Sequence, residues 1–230
     1  MIPVNPYLEP LIRKLSFKEN RVDLYTYHRS SCSYRVRIAL NLKQISHDFV
    51  QVNLLEGEQT GNEYRTINPQ GLVPFLVDGE FKLFQSLAIL EYLEERFPSP
   101  PLLPADLQER AMVRALSQVI ACDIQPVQNL RVLKYLKSEL GVSEEQKLNW
   151  IRHFIGTGFD ALEAHLQRVS GKYCFSDQVS LVDLCLVPQV YNARRFEVSM
   201  GRYPSILRVC GLLQELEAFQ KAAPENHQSH

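Results

Sequence analysis

Ser30-Ser31-Cys32-Ser33-Tyr34 sets hydroxyl groups and a thiol directly ahead of Arg35-Val36-Arg37-Ile38-Ala39-Leu40. Residues 22–27 are rich in aromatic and β-branched side chains and read as a strand. The spacing of Cys32, Val36, Ala39 and Leu40 predicts a helix. The polar pentad therefore falls where strand gives way to helix, with Ser30 or Ser31 as the N-cap. The first amides of a helix lack intrahelical partners and carry the positive end of its dipole, so a thiolate or carboxylate held there is stabilised. A serine before a helix is usually only a cap; the rest of the chain decides whether this corner does more.

Beyond that helix, Val50, Val52 and Leu54 alternate with polar residues as in a half-buried strand, completing a βαβ unit. Residues 56–67 suggest a short or irregular helix, and Asn68-Pro69-Gln70-Gly71 a turn. Residues 73–77 and 80–84 flank Asp78-Gly79, a pair suited to a type I′ hairpin. Ser86 is expected to cap a helix carrying Leu87, Leu90, Leu93 and Phe97, stopped by Pro98, Pro100, Pro101 and Pro104. This order is that of a thioredoxin-like domain, a small mixed sheet with helices on both faces. From Asp106 onward strand signals almost vanish. Asp106 to Glu109 resembles a capping box opening a helix with Met112, Leu116 and Val119 on one face. Ser180 to Asp183 is a second such box, opening a helix apolar nearly all round that Pro188 should kink or end. The expected fold class is α/β plus all-α: an extension at 1–20, a thioredoxin-like domain at 21–98, a linker at 99–105, a helical bundle at 106–221 and a tail at 222–230.

The 230 residues carry a net charge of -1 with both signs interspersed, which leaves no electrostatic footprint for nucleic acid or anionic lipid. Five cysteines, at 32, 122, 174, 185 and 210, are odd in number and lack metal-ligand spacing. They argue against a disulfide framework or a metal site and for a reducing, cytoplasmic setting. Pro3, Pro6, Glu9 and Pro10 break any secretory core in the first residues, which read as a loosely ordered extension. The longest apolar run, around residues 181–191, is interrupted by Asp183 and is too short to cross a bilayer.

A thioredoxin-like module joined by a proline-rich linker to a helical module is similar to the cytosolic glutathione transferases. Ser30-Ser31-Cys32 ahead of residues 35–40 resembles the signature of the zeta class, the maleylacetoacetate isomerases. Asn68 to Pro74, Gln85 to Ile89 and Asp183 to Val190 match in register, over about residues 22–220. The resemblance implies glutathione as cofactor and a homodimer. It implies a cis peptide at Val73-Pro74, with the Val73 backbone pairing with the cysteinyl backbone of glutathione; cis bonds are nearly confined to proline. Gln85 and Ser86 would hold the γ-glutamyl carboxylate at a helix entrance. Gln59, Gln125 and Asn129 would contact the rest of the tripeptide. Arg131 departs from the family pattern, standing where a small polar residue would help bind glutathione.

By the same resemblance, glutathione thiolate adds to the cis double bond of maleylacetoacetate, the resulting single bond of the enolate rotates, and elimination leaves fumarylacetoacetate, a step in tyrosine and phenylalanine breakdown. Free thiols titrate near pKa ~8.5, so the enzyme must favour the anion. The donor to sulfur is assigned first to Ser30 and second to Ser31, with Cys32 tuning the site. Arg195 matches the family arginine at the substrate end, where a guanidinium can clamp a carboxylate bidentately; Arg194 reads as a solvated charge. Arg35 and Arg37 are expected to brace the domain interface or face solvent, and Tyr25 and Tyr27 rank below the serines as sulfur donors. Alternatives are a broader transferase acting on haloacids or other electrophiles, a monothiol disulfide exchanger using Cys32, and a glutathione-binding module without turnover.

Overall fold

The computed structural model describes residues 21–228; the expected extension at 1–20 lies outside the described residues. Strand β1 (Arg21–Thr26), helix α1 (Ser31–Leu42) and strand β2 (Ser46–Gln51) form a parallel βαβ unit. After a 3₁₀ turn (Glu58–Thr60) and α2 (Asn62–Ile67) come β3 (Phe75–Asp78), β4 (Phe81–Phe84) and α3 (Ser86–Arg96). The sheet order is β2-β1-β3-β4, with β3 antiparallel to β1 and to β4. The rest is helical: α4 (Leu107–Gln118), a π-helical turn (Val119–Ile124), α5 (Leu130–Ser138), α6 (Glu144–Val169), α7 (Leu181–Arg195), α8 (Pro204–Gln214) and α9 (Glu217–Ala222).

Several local expectations shift. Strand β2 begins at Ser46 and ends at Gln51, so Val52 and Leu54 of the alternating run lie beyond it; its register is set residue by residue against Arg21–Thr26 of β1. The hairpin loop is Gly79-Glu80, since Asp78 pairs with Phe81. Only Gly79 has positive φ there, the pattern of a II′ rather than a I′ turn. Gln85, not Ser86, is the N-cap of α3; Ser86 is its first residue. The buried face of α4 holds Val113 and Leu116 and continues through Ile120 and Ile124, leaving Met112 exposed. The π-helical turn adds a residue to that face and brings Ile124 against Gly158 of α6, where a Cβ would lie 2.2 Å from the Ile124 side chain. Residues 222–227, expected as tail, dock on the first module: Arg37 Nε donates to Ala222 O at 3.0 Å, and a 3₁₀ turn follows at Pro224–His227.

One core joins the two modules. Val22, Leu24 and Leu76 of the sheet pack with Val36 and Leu40 of α1 and on to Leu184, Val187 and Val190 of α7. Burying each such side chain stabilises by about 1.5–3 kcal/mol. That density carries α7 unbroken through Pro188, whose lost hydrogen bond would end a more exposed helix. At the start of α7, Ser180 N and Oγ both donate to Asp183 Oδ2, while Cys174 N donates to Oδ1. Burial nonetheless raises the Asp183 pKa, with those bonds opposing. All five cysteines are free thiols. Among the described residues no helix is long and apolar enough to cross a membrane, and no three acidic, His or Cys side chains gather as metal ligands.

Candidate active site

Where β1 gives way to α1, Ser30 takes an extended conformation and its Oγ accepts from Ser33 N at 3.2 Å. A hydroxyl that caps by accepting keeps its own proton to donate elsewhere. Ser30 and Ser31 both line a cavity of about 460 Å³ between the sheet module and the helical module. The amides opening α1 face the same corner, so the site pairs a hydroxyl donor with the positive end of a helix.

Opposite this corner the walls are polar but unpaired. Gln59 is buried with no partner for Oε1, and so are Gln128 Oε1 and Asn192 Oδ1. All three residues line the cavity. Gly71 presses close beneath Gln59: it has φ +64°, and a Cβ there would sit 2.9 Å from Gln59 O. Val73 also lines the wall, ahead of a cis bond to Pro74, and among the described residues its backbone N–H and C=O make no hydrogen bond. Gln125 follows the π-helical turn, and Asn129 caps α5 by accepting from Arg131 N at 3.2 Å. A small cluster of Tyr27, Val52, Tyr64 and Val73 underlies this wall. Gly71→Ala is expected to lower stability by about 1–2 kcal/mol, through strain at positive φ and the clash. A thermal melt shifted down by several degrees would bear this out, and an unshifted one would refute it.

Among the described residues five cations line the cavity, namely Arg29, Arg65, Arg131, Lys134 and Arg195, and no Asp or Glu does. Arg195 ends α7 with its guanidinium 4.5 Å from the Phe196 ring centre. Burial, then the nearby charge of Arg29, lowers its pKa. Arg29 donates to Tyr27 Oη at 3.1 Å. Burial, Arg29 and Arg37 likewise hold His28 below its usual value. Two guanidiniums near enough to oppose each other's charge, beside a capped helix entrance, suit an anion with more than one carboxylate. A second hollow of about 470 Å³ lies at the linker, lined by Leu102, Pro104, Phe175 and Val179 among others. Among the described residues none of its side chains carries a buried unpaired polar atom, so of the two it is the first that suits a polar ligand.

Of the residues singled out from the sequence, Ser30, Ser31, Gln59, Val73, Gln125, Asn129 and Arg195 line the cavity together. Cys32, Pro74, Gln85 and Ser86 do not. Cys32 is half-buried behind the wall, its Sγ 4.0 Å from Arg35 Nη1, and Ser86 is buried with its Oγ accepting from the same nitrogen at 3.2 Å. Arg194 is exposed and off the cavity; Tyr25 packs edge-on against Phe75. Sequence reasoning overlooked Arg29, Arg65, Gln128, Lys134 and Asn192. Arg29 directly precedes the capping serine and Asn192 stands one helical turn before Arg195, so adjacency was the available signal.

A family model described as "Glutathione S-transferase, N-terminal domain" matches residues 24–101. The chain is 51% identical over 205 residues to a probable maleylacetoacetate isomerase of Vibrio cholerae, covering 88% of this chain and 95% of that one. It is similar to the holo structure of a bacterial zeta-class maleyl pyruvate isomerase, with 44% identity, a TM-score of 0.88 and coverage of 90% and 99%. A maleylacetoacetate isomerase from Anaeromyxobacter dehalogenans, solved with dicarboxyethyl glutathione and citrate in its active site, aligns with a TM-score of 0.82 at 40% identity, over 91% and 97% of the chains.

Proposed function

The chain belongs to the zeta class of the glutathione S-transferases, and from that membership we propose that it converts maleylacetoacetate to fumarylacetoacetate with glutathione as cofactor. The observation that carries this is the proton-bearing Ser30 cap at a helix entrance, facing a cavity lined by five cations and no acid. Three buried unpaired acceptors and the free Val73 backbone fit a peptide rich in amide donors. Glutathione, held by the residues named below, would supply a thiolate nucleophile able to add reversibly to one carbon of the cis double bond.

The chain's own residues prepare that step. Ser30 donates a hydrogen bond from its hydroxyl to the sulfur anion, with Ser31 as second donor, and the α1 amides favour that anion. Val73 pairs with the cysteinyl backbone, Gln59, Gln125 and Asn129 hold the remaining peptide groups, and Gln85 and Ser86, which stand outside the cavity lining, receive the γ-glutamyl carboxylate at the α3 entrance. Arg195 and Arg29 clamp the substrate carboxylates and stabilise charge developing between them.

Loss of the ultraviolet absorbance of cis-maleylacetone in the presence of glutathione tests the reaction; no glutathione-dependent rate would refute it. Arg195→Met should lower kcat/KM about tenfold or more, because a charge-assisted pair to the substrate is lost. An unchanged value would remove Arg195 from the clamp. Exposed Phe81 and Phe84 on edge strand β4, with exposed Leu107 and Met112 on α4, support a homodimer that covers them. A monomeric sedimentation coefficient at micromolar concentration would overturn that. Five free thiols support a cytoplasmic setting, which cell fractionation against a cytoplasmic marker would check.

A further inference from the structure

Arg35 lies on α1 one turn past Cys32 and is enclosed, with 1% of its surface exposed. Its Nη1 donates to Ser86 Oγ at 3.2 Å, while Nε and Nη2 have no hydrogen-bond partner among the described residues. No carboxylate among the described residues lies within ion-pair distance of it. The other buried cations of this module are fully engaged. Arg37 donates to Ala222 O, Thr26 Oγ1, Tyr27 O and His28 O, and Lys43 is paired with Glu94. An isolated buried guanidinium is costly unless an anion offsets it.

Ser86 opens α3, whose N-cap Gln85 makes no side-chain cap bond. A guanidinium has no acceptor atom, so Arg35 occupies a lone pair of Ser86 Oγ and leaves the hydroxyl proton to another partner. Among the described residues no acceptor takes that proton. The first amides of α3 point the same way, without intrahelical partners. We propose that Arg35 is a positioning residue for the cofactor's γ-glutamyl end: it commits the Ser86 hydroxyl proton to the α-carboxylate of glutathione and supplies, from inside the fold, the charge this carboxylate neutralises. The proposal rests on the glutathione reading above, in which Ser86 receives that carboxylate.

Titration calorimetry separates the two claims. The ligands are glutathione and 4-aminobutanoyl-cysteinylglycine, the same tripeptide without its α-carboxylate. The wild-type chain should prefer glutathione by about ten- to a hundredfold. Equal wild-type affinities would sink the assignment of the carboxylate to Ser86, and the role of Arg35 with it. Given that preference, Arg35→Met should reduce it to about threefold or less by weakening glutathione alone, and Arg35→Lys should retain part of it. A full preference in Arg35→Met, or equal weakening of both ligands, would overturn the proposal while leaving the Ser86 assignment standing. Should Arg35→Met not fold, Arg35→Gln, which keeps a donor for Ser86 without the charge, decides in the same way: a lost preference supports the proposal and an intact one overturns it.

Discussion

Replacing Ser30 by alanine is expected to lower glutathione-dependent turnover of maleylacetone by about 10- to 100-fold near neutral pH, the worth of a hydrogen bond to a charged acceptor. The fall should shrink as pH rises past the free-thiol value of about 8.5, because the solvent then ionises sulfur without help. Alanine also removes the cap that Ser30 Oγ provides to Ser33 N, worth about 1 kcal/mol of stability. Ser30→Asp separates the two effects, since it keeps a capping acceptor and carries no proton to donate. It should melt close to the wild type and turn over as poorly as the alanine variant. Full activity in Ser30→Asp would show that the hydroxyl proton plays no part.

Replacing Lys43 by methionine should destabilise the fold by about 3–5 kcal/mol, the usual result of stranding one partner of a buried ion pair. Lys43 Nζ reaches Glu94 Oε2 at 2.7 Å, Phe97 O at 2.6 Å and Pro100 O at 2.8 Å. Glu94 in turn accepts from Leu102 N at 2.9 Å and Leu103 N at 3.2 Å. The pair therefore ties α1, α3 and the proline-rich linker into one knot. For a chain of this size the loss corresponds to roughly 6–20 °C in a thermal melt. The double variant Lys43→Met/Glu94→Leu should recover part of it, since no charge is then left buried alone. A single variant within about 1 kcal/mol of wild type would show that water reaches the pair.

Much of the site was legible because it is built from local rules. A capping serine, a proline after Val73 and a box at Ser180 each act within a few residues, so spacing alone locates them. Arg35 shows the limit. Two arginines at i and i+2 on one helix, Arg35 and Arg37, look alike in sequence, yet Arg37 meets four acceptors and Arg35 meets Ser86 with two nitrogens to spare. The exposure of Met112 was likewise hidden: Val113, its neighbour in sequence, shares the buried face with Leu116 and Ile120, and which of two adjacent apolar stripes turns inward is decided by what packs against the helix.

By itself the sequence determined the strand–helix corner at Ser30, the βαβ and ββα order, the helical second half and the kinship those strings carry, since propensity, caps and periodicity depend on neighbours along the chain. Only the tertiary structure decided that Arg29 and Arg195, distant in sequence, share one cavity, that Glu94 answers Lys43, and that among the described residues no carboxylate stands beside Arg35. Charge pairing and desolvation depend on distance through space, which the packing of α1 against α3 and α7 sets and no local pattern encodes.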